Sequence, residues 1–245
     1  MFRRSSLNRR LRTGPALLFA EDPGERLLDA VRRFDPRAEP GDGFVELSFC
    51  LLTGPIEVTP EMAAAARLPR HLPIAFLPEH LSRLDAINTS FLVGGLAHAL
   101  GGVRHPTGPA GPADMWLDPV TSVFTADLPP PDELRKLVSP YLPGAEVTEI
   151  PLAEYGIGGP DAISIEVGWL MSYDATMPPP TLRDPWARYE CAIFVEPTAP
   201  EVLRRAGQVA LAVAAGTGGV PLDINGFLID RPEDVHLDVP ERDVP

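Results

Sequence analysis

The residue pattern predicts an α+β fold in which sheet strands pack against two or more helices. Three observations carry that reading. Between Trp186 and Asp230 a β-branched and aromatic run, Tyr189 to Val195, precedes a long helical run from Pro200, a glycine knot and a second strand-like run, Leu222 to Ile229. Elsewhere, strand-length and helix-length runs alternate across proline-rich turns; 30 prolines in 245 residues is more than twice the usual ~5%, so long irregular connections are expected. Finally, Leu96 to Val103 (L-A-H-A-L-G-G-V) echoes Leu211 to Val220 (L-A-V-A-A-G-T-G-G-V), and Trp116 to Phe124 then sits where Asp223 to Ile229 sits. The echo fits an internal duplication with a ferredoxin-like arrangement in each half. A likeness built from such common residues also arises by chance.

Taken in order, residues 1–14 read as a flexible basic N-terminus. Pro15 to Ala20 is a short strand, and Leu27, Leu28, Val31 and Phe34 form the apolar face of a helix that stops before Pro36. Asp35 to Gly43 is a loop, and Phe44 to Leu52 is the strongest strand of the first half. Thr59 caps a helix over Met62 to Leu68, with Pro60 at its first position. A strand follows at Ile74 to Leu77, then a helix within Pro78 to Leu100, whole or broken near Asn88, then a loop from Val103 to Asp114.

Val120 to Ala126 is a strand, and Pro131 starts a helix to Tyr141 with Asp132 and Glu133 at its positive end. Glu146 to Ile150 and Ile163 to Tyr173 are strands, and Met177 to Pro185 is a crossing. In the helix from Pro200, Val202, Leu203, Ala206, Val209, Ala210, Val213 and Ala214 keep the i, i+3, i+4 spacing of a buried face. The organisation predicted is an N-terminal half over 15–150, a C-terminal half over 151–230 and an acidic extended tail over 231–245.

The net charge is -13, yet Arg3, Arg4, Arg9, Arg10 and Arg12 lie in the first twelve residues without an acid, so the remainder stands at -18. An acidic body repels nucleic acid and anionic lipid and favours a basic protein partner. The apolar run after those arginines, Ala16 to Ala20, is shorter than a secretion signal needs, and no stretch approaches the roughly 20 apolar residues of a membrane span. The expectation is a cytoplasmic protein, and the excess of arginine over the single lysine, Lys136, suits a GC-rich bacterial genome. Cys50 and Cys191 lie in apolar runs, as small buried hydrophobes do.

Most motifs that invite a chemical reading fail on position. Phosphate loops precede a helix, whereas Gly101-Gly102 and Gly216 to Gly219 follow one, and Gly156 to Gly159 precedes a strand, so no nucleotide or other cofactor is expected. The five histidines lack zinc spacing, and no G-x-S-x-G elbow exists. Asp223-Ile224-Asn225-Gly226 is ordinary turn chemistry as readily as an ion loop, and no metal is expected.

Two arrangements survive as catalytic candidates: His98 near the end of its helix with Asp118, and the strand carboxylates Glu46, Glu166 and Glu190, any two of which can share a sheet face. The bland alternatives are a histidine favoured by a helix C-terminus and carboxylates marking a solvated sheet face. The sequence therefore points to a non-catalytic interaction protein, an inhibitor, adaptor or assembly component, that recognises a basic partner. A hydrolase-type enzyme using these groups in a cleft between the halves is the alternative.

Overall fold

In the computed structural model the described residues are 4–80, 86–105, 119–151, 153–159, 163–169, 187–196 and 199–235. The chain divides into two compact units, Met1–Gly111 and Pro112–Pro245. Each contains a six-stranded antiparallel sheet with helices, the α+β class that the sequence predicts.

The first unit runs α1 (Arg4–Thr13), β1 (Ala16–Phe19), α2 (Glu25–Phe34), β2 (Glu39–Gly41), β3 (Phe44–Glu46), β4 (Cys50–Glu57), α3 (Pro60–Ala66), β5 (Ile74–His80), α4 (Ala86–Leu100) and β6 (Val103–His105). Its sheet order is β2-β3-β4-β5-β1-β6. Alternation along β1 and β5 sends Ala16, Leu18, Ala75 and Leu77 to one face, against Leu11 of α1 and Met62, Ala63 and Ala66 of α3. Leu17, Phe19 and Phe76 point to the other face, where α2 and α4 pack on each other and α4 meets β1. With both faces covered, all four residues of β1 are buried.

Several expectations change here. Within the arginine-rich start, Arg4–Thr13 is a helix. Leu7 and Leu11, one turn apart, give it an apolar stripe that joins the α3 cluster, while Arg10 donates to the Pro78 carbonyl at 2.9 Å. The run Phe44 to Leu52 is a hairpin and not one strand. The buried carboxylate of Asp35 accepts the Ser48 N–H at 2.8 Å and the Arg37 N–H at 3.2 Å, pinning a turn over Leu47, Ser48 and Phe49. Strand β5 continues through Pro78 to His80, so the following helix begins later, at Ala86. The capping of α3 is as predicted, with Thr59 Oγ1 accepting from the Met62 N–H at 3.4 Å.

The second unit runs β7 (Thr121–Thr125), α5 (Pro131–Val138), β8 (Glu146–Thr148), β9 (Tyr155–Gly158), β10 (Ile163–Trp169), β11 (Tyr189–Val195), α6 (Pro200–Thr217) and β12 (Val220–Asp223). Its sheet order is β12-β7-β11-β10-β9-β8. Read from the other edge, that order is the order of the first sheet, strand for strand. In each unit a first strand and helix lead into a four-strand meander, and a final helix and strand return to the far side of the first strand. The strand sets β6-β1-β5-β4 and β12-β7-β11-β10, with α2, α4, α5 and α6, are ferredoxin-like, each extended by two further strands. The shared order is the pattern that an internal duplication would produce.

Register aligns the two units residue by residue. Each final helix ends at a positive-φ glycine, Gly101 (φ 70°) and Gly218 (φ 68°). The next glycine passes so close to the first strand that an added Cβ would lie 2.9 Å from the Leu18 carbonyl oxygen at Gly102, and 2.7 Å from that of Phe124 at Gly219. The valines that follow, Val103 and Val220, oppose Leu18 and Phe124, which in turn oppose Ala75 and Glu190. Thus Ala16 corresponds to Ser122 and Ala75 to Glu190. The Gly-Gly-Val ends of the echo between Leu96–Val103 and Leu211–Val220 coincide with this correspondence, whereas Phe124 belongs to the first strand of the second unit and not to a counterpart of Asp223 to Ile229.

One face of the second sheet holds the larger core. Val123, Ile157, Ile163, Ile165, Val167, Cys191 and Ile193 pack under Leu134 and Val138 of α5 and Val202, Ala206, Val209, Ala210 and Val213 of α6. The unit takes in β7, α5 and β8, so it begins before the 150/151 division read from sequence, because those strands pair within this sheet. The glycine-rich Tyr155–Gly158 is itself a strand. The run Leu222 to Ile229 breaks after Asp223, where Asn225 and Gly226 (φ 81°) reverse the chain and Leu228 bridges back to Leu222. The tail forms a short 3-10 turn at Pro232–Asp234 against α6. Residues 236–245, the rest of the expected acidic tail, and the expected crossing at 177–185 lie outside the described residues.

The tail contact sets one prediction. A Cβ at Gly207 would lie 2.3 Å from the Pro232 carbonyl oxygen. Gly207→Ala is worth about 1 kcal/mol in helix propensity, but overpacking of this kind costs about 1–3 kcal/mol. The expected net result is a lower melting temperature, and a rise in it would show that the tail yields freely.

Candidate functional site

The other face of the second sheet is where its polarity concentrates. At one end Phe124, Leu222, Ala187, Val220 and Leu228 form a small apolar cluster. Further along the same face lie Ser122 of β7, Glu190 and Ala192 of β11, and Ser164, Glu166 and Gly168 of β10, because Ser122 opposes Ala192, Ala192 opposes Glu166, and Glu190 opposes Gly168. The Ser122 hydroxyl donates to Glu190 Oε1 at 2.6 Å. Burial raises the Glu190 carboxyl above its ordinary value, and the serine hydrogen bond offsets part of that rise. Glu166, two residues along β10 from Gly168, is the diagonal neighbour of Glu190 on this face.

The first unit shows what this face is without the polar groups. The counterparts of Ser122 and Glu190 are Ala16 and Ala75, both fully buried beneath α3 and its neighbours. Counterpart strand positions therefore hold two small apolar residues in one unit and a hydrogen-bonded Ser–Glu pair in the other. Sequence reasoning singled out Glu190 and Glu166 but missed Ser122, since a serine two residues into a short strand carries no signal until register places it beside a carboxylate.

The remaining candidates separate. Glu46 is exposed on β3 of the first sheet, opposite Glu39 and Leu51. His98 is exposed on the last turn of α4, where its carbonyl accepts the Gly101 N–H. His105, across the turn on β6, has its pKa lowered by burial. Asp118 lies outside the described residues. The structure thus brings together Glu166 and Glu190 from the predicted set, and Glu46 and His98 belong to the other unit.

Other groups are accounted for structurally. The Asp223 carboxylate accepts the N–H groups of Asn225 at 2.9 Å and Phe227 at 2.8 Å, which is turn chemistry. Cys191, packed in the core, has its thiol pushed up to about 12 by burial and by the Glu190 charge, so it stays protonated. Cys50 is also buried and forms no disulfide. Among the described residues no group of three His, Cys, Asp or Glu side chains could hold a metal ion, and no helix is long and apolar enough to cross a membrane. No family model, curated protein or solved structure matches the chain.

The raised carboxyl has a consequence for stability. A glutamate whose folded pKa exceeds its unfolded value makes the folded state bind more protons. Its contribution is therefore most favourable at low pH and is lost as pH rises from the ordinary 4.5 through the folded value. Glu190→Gln keeps an acceptor for the Ser122 hydroxyl and removes the ionisation. The variant should gain stability relative to the parent as pH rises from about 4 to 7, as measured by urea unfolding. A constant difference across that range would show that Glu190 is not desolvated.

Proposed function

We propose that the second unit is a recognition module for a basic protein partner and that the chain acts through it as an inhibitor, adaptor or assembly component. The observation that supports this reading is where the charge lies. Met1–Gly111 carries 12 acids and 13 arginines, a net of +1, whereas Pro112–Pro245 carries 22 acids and 8 basic residues, a net of -14. The whole acidic excess of the protein belongs to one unit. Among its exposed acids are Asp127, Glu133, Glu146, Glu149, Glu154 and Glu201. A net charge of this size steers cationic partners toward the unit and disfavours nucleic acid and anionic lipid.

The test is calorimetric titration of the full chain with an oligo-arginine peptide, and with oligo-glutamate as control, between about 50 and 500 mM salt. The reading expects oligo-arginine to bind, to weaken at least about tenfold across that range, and oligo-glutamate not to bind. Affinity indifferent to salt would remove the electrostatic basis.

A second reading, a hydrolase-type enzyme using strand carboxylates, is favoured by one observation: Glu190, its carboxyl raised by burial, shares a sheet face with Glu166. Two carboxyl groups on one face, one of them raised by burial, form the kind of pair that acid–base hydrolysis uses. Assay of chromogenic glycosides and esters with the parent, Glu190→Gln and Glu166→Gln would decide it. Turnover lost in both variants supports the enzyme, and no turnover by the parent discards it.

A further inference from the structure

The acidic unit also exposes an aromatic pair, and its setting indicates what part of a basic partner it meets. Trp169 ends β10 and Tyr189 begins β11, directly opposite each other in register, with ring centroids 4.8 Å apart and planes at 45°. Trp169 is 56% exposed, the most of any large hydrophobic residue among those described. Among the described residues it is the one position where this unit leaves a large ring in water, and its counterpart next to the first unit's Ala75 pairing is Glu57 opposite Ile74, with no aromatic at either place. A tryptophan braced by a tyrosine is therefore not a requirement of the shared fold.

Two exposed acidic residues have their backbones near these strand ends. Tyr189 opposes Thr125, whose hydroxyl donates to the Asp127 carbonyl at 2.9 Å, which sets exposed Asp127 just past that strand end. On the other side the Glu154 N–H donates to the Val167 carbonyl at 2.8 Å, which places the backbone of exposed Glu154 beside Val167, two residues before Trp169. Exposed Arg188, next to Tyr189, is a like charge to any incoming cation.

We infer that the Trp169–Tyr189 pair is the anchor of the partner surface and takes an arginine side chain of the basic partner, its guanidinium stacked on the indole with Asp127 and Glu154 completing the charge. The inference rests on the acidic-module reading above. Planar guanidinium stacks on aromatic faces where a lysine ammonium has only its point charge, and tryptophan is the strongest such face and the residue most enriched among binding hot spots. The surrounding -14 unit supplies long-range attraction, and the pair supplies a fixed point of contact.

The test uses the full chain with oligo-arginine and oligo-lysine peptides, comparing parent, Trp169→Ala, Trp169→Phe and Arg188→Ala by calorimetry at two salt concentrations. Matching melting curves establish that the variants fold, as expected for an exposed strand-end residue. Trp169→Ala should weaken oligo-arginine binding about tenfold with the salt slope unchanged, Trp169→Phe should keep part of the affinity, oligo-lysine should respond less, and Arg188→Ala should bind more tightly. Salt-dependent binding that is the same in Trp169→Ala and parent overturns the anchor and leaves the acidic module standing. Parent binding without salt dependence overturns the acidic module, and a loss confined to Trp169→Ala in that case would still support the aromatic contact.

Discussion

Val209→Asp and Ala210→Asp will each destabilise the second unit by several kcal/mol, while Arg204→Ala will cost about 1 kcal/mol or less. Val209 and Ala210 have no exposure and lie on the stripe of α6 that also buries Val202, Ala206 and Val213 over the sheet. An aspartate there has no partner, and burying an unpaired charge consumes a large part of a typical stability of about 5–15 kcal/mol. Arg204 lies on the outer face in an exposed ion pair with Glu233 at 2.7 Å, and such pairs are worth about 0–1 kcal/mol. Arg205 is a poorer control than its sequence position suggests, because its Nε is buried. Two units need not unfold together, so amide hydrogen exchange of α6 is the proper readout. Equal losses at positions 204, 209 and 210 would mean that the helix face is drawn wrongly.

Ala75→Glu will cost several kcal/mol, and the double change Ser122→Ala with Glu190→Ala will cost about 1 kcal/mol or less at neutral pH. The two experiments exchange the residues of the counterpart positions. In the first unit the incoming carboxylate would meet Met62, Ala63 and Ala66, whose side chains offer no hydrogen-bond donor. In the second, both members of a hydrogen-bonded pair leave together, which strands no polar group and relieves a desolvated carboxyl. Urea unfolding of the three proteins measures the contrast. If the double variant loses as much as Ala75→Glu, the Ser–Glu pair is structural cement and not a polar feature that the fold can do without.

The elements with strong periodicity were legible from residues alone. Tyr189–Val195 and the helix from Pro200 stand where the pattern puts them, since β-branched alternation and the i, i+3, i+4 stripe report burial directly. What local pattern missed was decided by distant partners. The break of Phe44 to Leu52 into a hairpin depends on the Asp35 carboxylate thirteen residues before Ser48, and the helix at Arg4–Thr13 depends on the α3 face that its leucines meet. The strand Tyr155–Gly158, paired on both sides, was hidden by glycines, one of which, Gly156, approaches Ile150 so closely that no side chain fits without a shift. The carboxylate face was half legible: alternation allowed Glu166 and Glu190 to share it, but only register could separate them from Glu46 and add Ser122.

The claim that the acidic unit is the recognition module is tested most directly by hydrogen-exchange mapping of the full chain with and without oligo-arginine peptide at low salt. The expected result is protection confined to Pro112–Pro245, including the β10 and β11 ends at Trp169 and Tyr189, and erased at about 500 mM salt. Protection centred on Met1–Gly111, or protection in the second unit that survives high salt, would contradict it.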